Sequence, residues 1–248
     1  MQPFWTQLLD LTFMQLTNWR WSWRGAVIIS TLAPLGSTLG FGIFAADAGP
    51  EALGYVLTGN VVLSLLFATV DRVSNHFGYM RMVGRLDFFA TLPVQRAALI
   101  LATVIAFFML ALPSALTTLL VGTALLHVPL VFDPWLIVVV PLIGFSLSGL
   151  GALIGLLGRT PEEVGGLGTL ISLLLFGFGP VVIPLDRLPA IITNLSLLSP
   201  ATYAASALRQ TLLGWPDRIP LALDLAVLAA LAVGLLWLVG QRMDWREA

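Results

Sequence analysis

The stretch Gly144-Phe145-Ser146-Leu147-Ser148-Gly149 sets two serines between glycines, an arrangement in which a serine nucleophile could sit. Inside a membrane such a nucleophile needs a partnered base on a later segment. The only histidines, His76 and His127, come earlier in the chain, and lysine is absent. The serine pair therefore does not read as a catalytic centre. The lack of cysteine removes thiolate nucleophiles, thiolate metal sites and disulfides. The lack of lysine removes a phosphate-loop nucleotide site and Schiff-base chemistry. Two histidines on different predicted loops do not make a histidine-rich metal site. If the chain works actively, something other than its own phosphate-loop hydrolysis supplies the energy.

The other polar residues of interest lie within apolar sequence. Asn60 and Ser64 are one helical turn apart, and Ser30, Thr31, Ser37 and Thr38 form a hydroxyl-bearing group upstream. Such groups either bond between helices, at about 0.6–2 kcal/mol each, or line a substrate path. Both hold if the path follows a seam between subunits, so Ser30, Thr31, Thr38, Asn60 and Ser64 are the candidate path residues. Asp224 sits near the start of the last apolar stretch and reads as an interfacial carboxylate close to Arg218. No span carries a charge at its centre, which disfavours a proton-coupled carrier.

The elements that must position these residues follow from composition. Of 248 residues, 58% are hydrophobic and 10% charged, with mean hydropathy +0.95. Soluble domains carry about 25% charged residues, so the chain reads as an all-α integral membrane protein. Stretches 25–46, 52–70, 97–126, 135–158 and 164–185 are uncharged, and 219–241 is interrupted only by Asp224. Each meets the roughly 20 apolar residues that a spanning helix needs, which predicts six transmembrane helices. Pro113 predicts a kink or tilt in the third.

With both termini cytoplasmic, nine arginines fall inside (Arg20, Arg24, Arg72, Arg81, Arg85, Arg96, Arg159, Arg242, Arg246) and three outside (Arg187, Arg209, Arg218). Counting the uncharged 188–208 as a seventh span gives the same ratio. Its Asn194, Ser196, Ser199, Pro200, Thr202 and Ser206 suit a re-entrant hairpin better, since broken backbone is tolerated where protein or a watery cavity satisfies it. The expected hairpin covers about 186–214, on the outer side before the last span.

Residues 1–24 do not read as a secretory signal, because Asp10 stands where a positive leader belongs. Phe4, Trp5, Leu8, Leu9, Leu16 and Trp19 alternate with Gln7, Asp10, Gln15 and Asn18 in the manner of an amphipathic helix lying in the interface. Trp19, Trp21 and Trp23, interleaved with Arg20 and Arg24, suit the headgroup zone. A net charge of −1 and no wider basic surface argue against a nucleic-acid partner. The expected domains are thus an interfacial connecting helix, 1–24, and a transmembrane domain, 25–248. Gly151-Ala-Leu-Ile-Gly155 is a G-x-x-x-G pattern for which close helix packing is the default reading.

The longest predicted cytoplasmic segment, about 71 to 96, carries arginines, acids and aromatics that suit an amphipathic helix over about 78–95, bounded by Pro93. An exposed Phe88-Phe89 pair would offer a docking knob to a cytosolic partner. Within it, Gly84-Arg85-Leu86-Asp87-Phe88-Phe89-Ala90-Thr91-Leu92-Pro93-Val94-Gln95-Arg96 resembles the stretch after the second span in permeases of type-2 ATP-binding-cassette exporters. Arg85 stands where a small or hydroxyl residue is common, and Leu92 separates Thr91 from Pro93. A second run resembles that family between its last two spans: Arg159-Thr160-Pro161-Glu162-Glu163, Pro180, Pro184, Leu188-Pro189, Ser199-Pro200-Ala201-Thr202-Tyr203 and Ala207-Leu208-Arg209. The motifs are loose singly, and their ordered co-occurrence along nearly the whole chain carries the resemblance.

The resemblance implies an interfacial helix, six spans and a re-entrant outer hairpin containing Pro189, Pro200, Tyr203 and Arg209. It implies a second permease copy, as homodimer or heterodimer, and a cytosolic ATPase that binds ATP and Mg, with no cofactor on this chain. Gly84, Arg85, Leu86, Asp87, Phe88, Phe89, Ala90, Thr91 and Pro93 would form the first coupling helix, and Glu162 and Glu163 the second cytoplasmic contact. The chain would then be the substrate-conducting permease of an ATP-driven exporter, not itself an enzyme. Apolar spans suggest a hydrophobic or amphipathic cargo such as a drug, lipid or lipid-linked compound. Its setting would be the bilayer lipids of a bacterial-type plasma (inner) membrane. A passive channel or non-transport scaffold is the alternative, and it gives no reason for the Gly84–Arg96 pattern.

Overall fold

The computed structural model describes residues 3–18, 23–158, 160–178, 181, 193–194 and 196–242. Every regular element among them is helical: α1 (Phe4–Asn18), α2 (Trp23–Ala46), α3 (Pro50–Leu66), a π-helical turn (Phe67–Asp71), α4 (Arg72–Met82), α5 (Arg85–Thr91), α6 (Arg96–Leu126), α7 (Leu136–Leu157), α8 (Pro161–Phe178), α9 (Pro200–Leu213) and α10 (Leu221–Arg242). An all-helical answer follows from the apolar composition, because a helix satisfies its own backbone groups where no water can.

Among the described residues, five helices are long and apolar enough to cross a membrane: α2, the continuous 33-residue unit Pro50–Met82, α6, α7 and α10. Four of them fall within two or three residues of the expected stretches at both ends. The second differs. Its helix does not stop at residue 70 but runs on through the π turn into α4. The expected amphipathic helix over about 78–95 is accordingly divided between the end of α4, a turn at Val83-Gly84, and α5. α6 continues through Pro113. α8 starts at Pro161, so Glu162 and Glu163 occupy its first turn, and it is described to Phe178. Trp19, Arg20, Trp21, Arg159, Pro180, Pro184, Arg187, Leu188, Pro189 and Arg246 lie outside the described residues.

α3 is the hub. Its residues Val56 to Leu66 are all buried, with α2, α6 and α9 packed against it. α10 lies on α7, α4 on α7 and α8, and α1 along α6. Gly151 and Gly155 of α7 explain how α4 comes so near. A Cβ on Gly151 would stand 2.6 Å from the carbonyl oxygen of Val70, and one on Gly155 would stand 2.7 Å from Phe77 Cβ. The G-x-x-x-G pattern is therefore used for close approach within one chain.

Two apolar cores result. One joins Leu57, Leu65, Ile143, Leu147, Leu208 and Leu228 from α3, α7, α9 and α10. The other joins Leu8, Leu11, Phe77, Met80, Leu86, Phe89 and Phe107 from α1, α4, α5 and α6. α9 is buried on every side, since twelve of its fourteen residues are inaccessible, including Ser206 and Arg209. At about 1.5 Å per residue it is also too short to cross roughly 30 Å of hydrocarbon.

Candidate functional site

One end of the bundle gathers α1, α5 and the α7–α8 turn around α4. Gly84 makes the corner between α4 and α5, adopting φ 68° and ψ 16°, a left-handed conformation that costs glycine nothing. The chain then re-enters a helix in which Leu86 and Phe89 turn inward, 6% and 7% exposed, while Phe88 is 61% exposed. Arg85, Asp87, Thr91 and Pro93 are exposed and Ala90 is partly covered. The expected exposed Phe88-Phe89 pair is thus corrected to a single exposed ring. Neighbours on a helix point about 100° apart, so the face that docks Leu86 into the core takes Phe89 with it.

Arg81, at the end of α4, donates hydrogen bonds from Nη1 to the carbonyl oxygens of Leu156 and Gly158, both at 3.1 Å. This ties the α7–α8 turn to α4. Glu162 and Glu163 are exposed at the start of α8, where the helix dipole favours negative charge. On the other flank, Gln7 of α1 accepts a hydrogen bond at 2.9 Å from the backbone amide of Gln95, and Gln15 Nε2 donates to Thr103 Oγ1 at 3.3 Å. The two stretches that resemble coupling segments are therefore braced to a common helix.

Along the bundle, Ser30, Thr31, Thr38, Asn60 and Ser64 are all buried. Most spend their hydrogen bonds on their own helix: Ser30 Oγ to Ala26 O (2.9 Å), Thr31 Oγ1 to Val27 O (2.9 Å), Thr38 Oγ1 to Pro34 O (2.7 Å), Asn60 Nδ2 to Val56 O (2.8 Å) and Ser64 Oγ to Val61 O (2.8 Å). Ser37 Oγ also donates to Asn60 Oδ1, joining α2 to α3.

The opposite end is built around α9. Its C-terminal carbonyls accept from the α6–α7 loop, Val131 N to Leu212 O at 2.7 Å and Asp133 N to Thr211 O at 3.0 Å. Arg209 Nε and Nη2 both reach Asp217 Oδ2, at 2.9 and 2.8 Å, and its guanidinium carbon stands 4.3 Å from the centroid of the Tyr55 ring. Asp224 is fully buried and accepts from Ser206 Oγ at 2.7 Å and Gln210 Nε2 at 2.9 Å. That corrects its reading as an interfacial carboxylate: α9 covers it and supplies its donors. Tyr203 donates to Leu197 O at 2.7 Å, and Pro200 opens α9.

Sequence reasoning missed Tyr55, Asp217, Gln210 and the bracing glutamines. The one signal available was the short Arg209–Asp217 separation across Gly214-Trp215-Pro216, a turn that folds an acid back on a base. The expected path residues, by contrast, are gathered along α2 and α3. A comparison with known families matches residues 12–213 to the family described as ABC-2 type transporter. No curated protein sequence matches the chain.

Proposed function

Because the chain belongs to the ABC-2 type transporter family, and is thus a membrane permease and transport subunit, we propose that it conducts cargo outward when a separate cytosolic ATPase drives it. The observation that carries this reading is the α4–α5 corner. A glycine-hinged seven-residue helix is anchored by Leu86 and Phe89 and presents Phe88, Arg85 and Asp87 outward. Such a helix, braced by α1 and joined to a long apolar helix through the Gly84 corner, transmits a push on Phe88 into the bundle.

Gly84 to Pro93 then forms the first ATPase contact and Glu162-Glu163 the second. ATP and Mg are bound by the ATPase, not by this chain. Six spans are reached by counting the apolar stretch 164–185, to which α8 belongs, as the fifth, and α9 is the returning limb of a re-entrant hairpin over about 186–214. The all-round burial and short length of α9 support that reading. Residues 1–24 form the interfacial helix, and 25–248 the transmembrane domain. The arginine distribution supports cytoplasmic termini in a bacterial-type plasma membrane. Two permease copies, identical or sister chains, enclose the path, with Ser30, Thr31, Thr38, Asn60 and Ser64 near their seam. Its apolar walls favour a hydrophobic or amphipathic cargo.

The chain contains no cysteine, so a single Phe88→Cys substitution supports site-specific cross-linking in native membranes. Capture of a nucleotide-hydrolysing subunit from Phe88→Cys, absent from Asp133→Cys at the other end, is the expected result. Failure to capture any such subunit with folded protein, or transport that persists without an ATPase, overturns the reading in favour of a passive channel or scaffold.

A further inference from the structure

Between α1, α4 and α5 lies a cleft that shares Arg85, Phe88 and Phe89 with the proposed ATPase contact. Its larger part, about 630 Å³, is lined by Met14 and Asn18 of α1, His76 and Met80 of α4, and Arg85 and Phe89 of α5. A second part of about 440 Å³ shares Asn18, His76 and Arg85 with the first and adds Arg72, Asn75 and Tyr79. The shared residues make these one cleft with two differing walls. One side is basic and amide-bearing, and the other is thioether and aromatic.

Among the described residues no carboxylate lines either part. Arg85 is exposed, lies 5.7 Å from the Tyr79 ring, and has no acidic partner among the described residues. Arg72 by contrast donates to Ala26 O and sits beside Asp71. The imidazole of His76 is 8% exposed and its Nε2 has no hydrogen-bond partner. A buried polar atom without a partner is uncommon in folded proteins. Such a wall offers donors and positive charge, and it holds no carboxylate to balance a cation. The cleft also opens beside the lipid-type face of α1, where Leu9, Phe13 and Met14 are 58%, 65% and 46% exposed. A ligand that matches both walls is an anion joined to an acyl chain.

We propose that the α1–α4–α5 cleft binds one anionic phospholipid of the surrounding bilayer, its phosphate on Arg85 with the Asn18 and Asn75 amides, and its chain against Met14, Met80 and Phe89. The site lies immediately behind α5, so the bound lipid packs beneath the helix that carries Phe88. Binding is a property of the permease alone and does not rest on its coupling to an ATPase.

The test uses the purified, delipidated full chain in detergent, titrated with phosphatidylglycerol, with phosphatidylcholine of the same chains, and with inorganic phosphate, bound species being counted by native mass spectrometry. Phosphatidylglycerol is expected to occupy one site about tenfold more tightly than phosphatidylcholine, as one charge-assisted contact supplies. Arg85→Gln should erase that preference while Arg85→Lys keeps most of it. Arg85 is exposed and leaves Leu86 and Phe89 in place, so the fold tolerates both. Asn18→Glu, on the exposed rim of the cleft, should also abolish the preference by repulsion, which gives a second variant at a different helix. Equal affinity for the two lipids, or a preference unchanged in Arg85→Gln and Asn18→Glu, overturns the proposal. Displacement of the lipid by an equal concentration of inorganic phosphate also overturns it, since the apolar wall would then contribute nothing.

Discussion

Gln7 and Gln95 are 88 residues apart in sequence, yet the backbone amide of Gln95, which caps α6, donates to Gln7 Oε1 at 2.9 Å. Gln7 Nε2 reaches the carbonyl of Pro93 at 3.4 Å. One buried carboxamide of α1 thus holds both sides of the turn that follows α5. The N-terminal helix α1 is thereby made a strut for the helix that carries Phe88.

Gln7→Leu removes both contacts at nearly constant volume. We expect a loss of about 0.5–1.5 kcal/mol, the net worth of an ordinary hydrogen bond, read as a lowered unfolding midpoint in detergent. Gln7→Glu keeps the acceptor for Gln95 and should lose less. Equal loss in the two variants would show that packing rather than hydrogen bonding explains Gln7.

At the other end, the Arg209 and Asp217 side chains are 3% and 8% exposed. Removing one member of a buried pair leaves the other charge uncompensated, at about 3–5 kcal/mol. Arg209→Leu and Asp217→Leu should each reduce the folded yield sharply, and the double variant should recover part of it. Arg209→Lys should not restore stability fully, because an ammonium cannot meet Asp217 with two nitrogens while lying flat on Tyr55. A double variant no better than the worse single one would refute this account.

The closeness of α7 to α4 gives a sharper test. Gly155→Val puts its Cβ 2.7 Å from Phe77 Cβ and 2.8 Å from the carbonyl of Ser74. Overpacking of this kind costs typically about 1–3 kcal/mol, more when backbone must move. A Cβ on Gly166 meets nothing within 4 Å, so Gly166→Val should cost far less. Comparing the monodisperse fraction of the two variants after solubilisation separates them, and equal behaviour would contradict the packing described.

Gly84→Ala should destabilise the α4–α5 corner by about 1–2 kcal/mol, the cost of a left-handed residue with a Cβ. Gly84→Asn should cost less, because asparagine visits that conformation more readily. Protease sensitivity of the segment between α4 and α6 follows the ranking directly. Alanine tolerated as well as glycine would mean that the corner adopts another conformation.

How much was legible varies by element. The limits of α2, α6, α7 and α10 match the uncharged stretches closely, because hydrocarbon demands a contiguous apolar run and charge marks its ends. α1 was readable from the alternation of Phe4, Leu8 and Gln7, and Gly84 from its place in a loose motif. The end of the helix that begins at Pro50 was not, since the Asp71-Arg72 pair looks like a helix boundary. The structure holds it inside a continuing helix, with Thr169 Oγ1 donating to Asp71 Oδ1 at 2.7 Å and Arg72 donating to Ala26 O. Charges can be absorbed when other helices provide partners, and no local window contains those partners.

The sequence by itself determined that this is a helical membrane protein without a nucleotide site of the phosphate-loop kind, and which of its stretches are apolar enough to span. Those properties depend on composition, on absent side-chain types and on runs of about twenty residues. Only the tertiary structure decided that Phe88 faces outward while Phe89 is buried, that Asp224 hides beneath Ser206 and Gln210, and that Gln7 reaches Gln95. Each of these depends on which helix lies beside which, a choice made by close packing among many similar apolar surfaces. Leucine and alanine repeated along several helices do not encode that choice in any one of them.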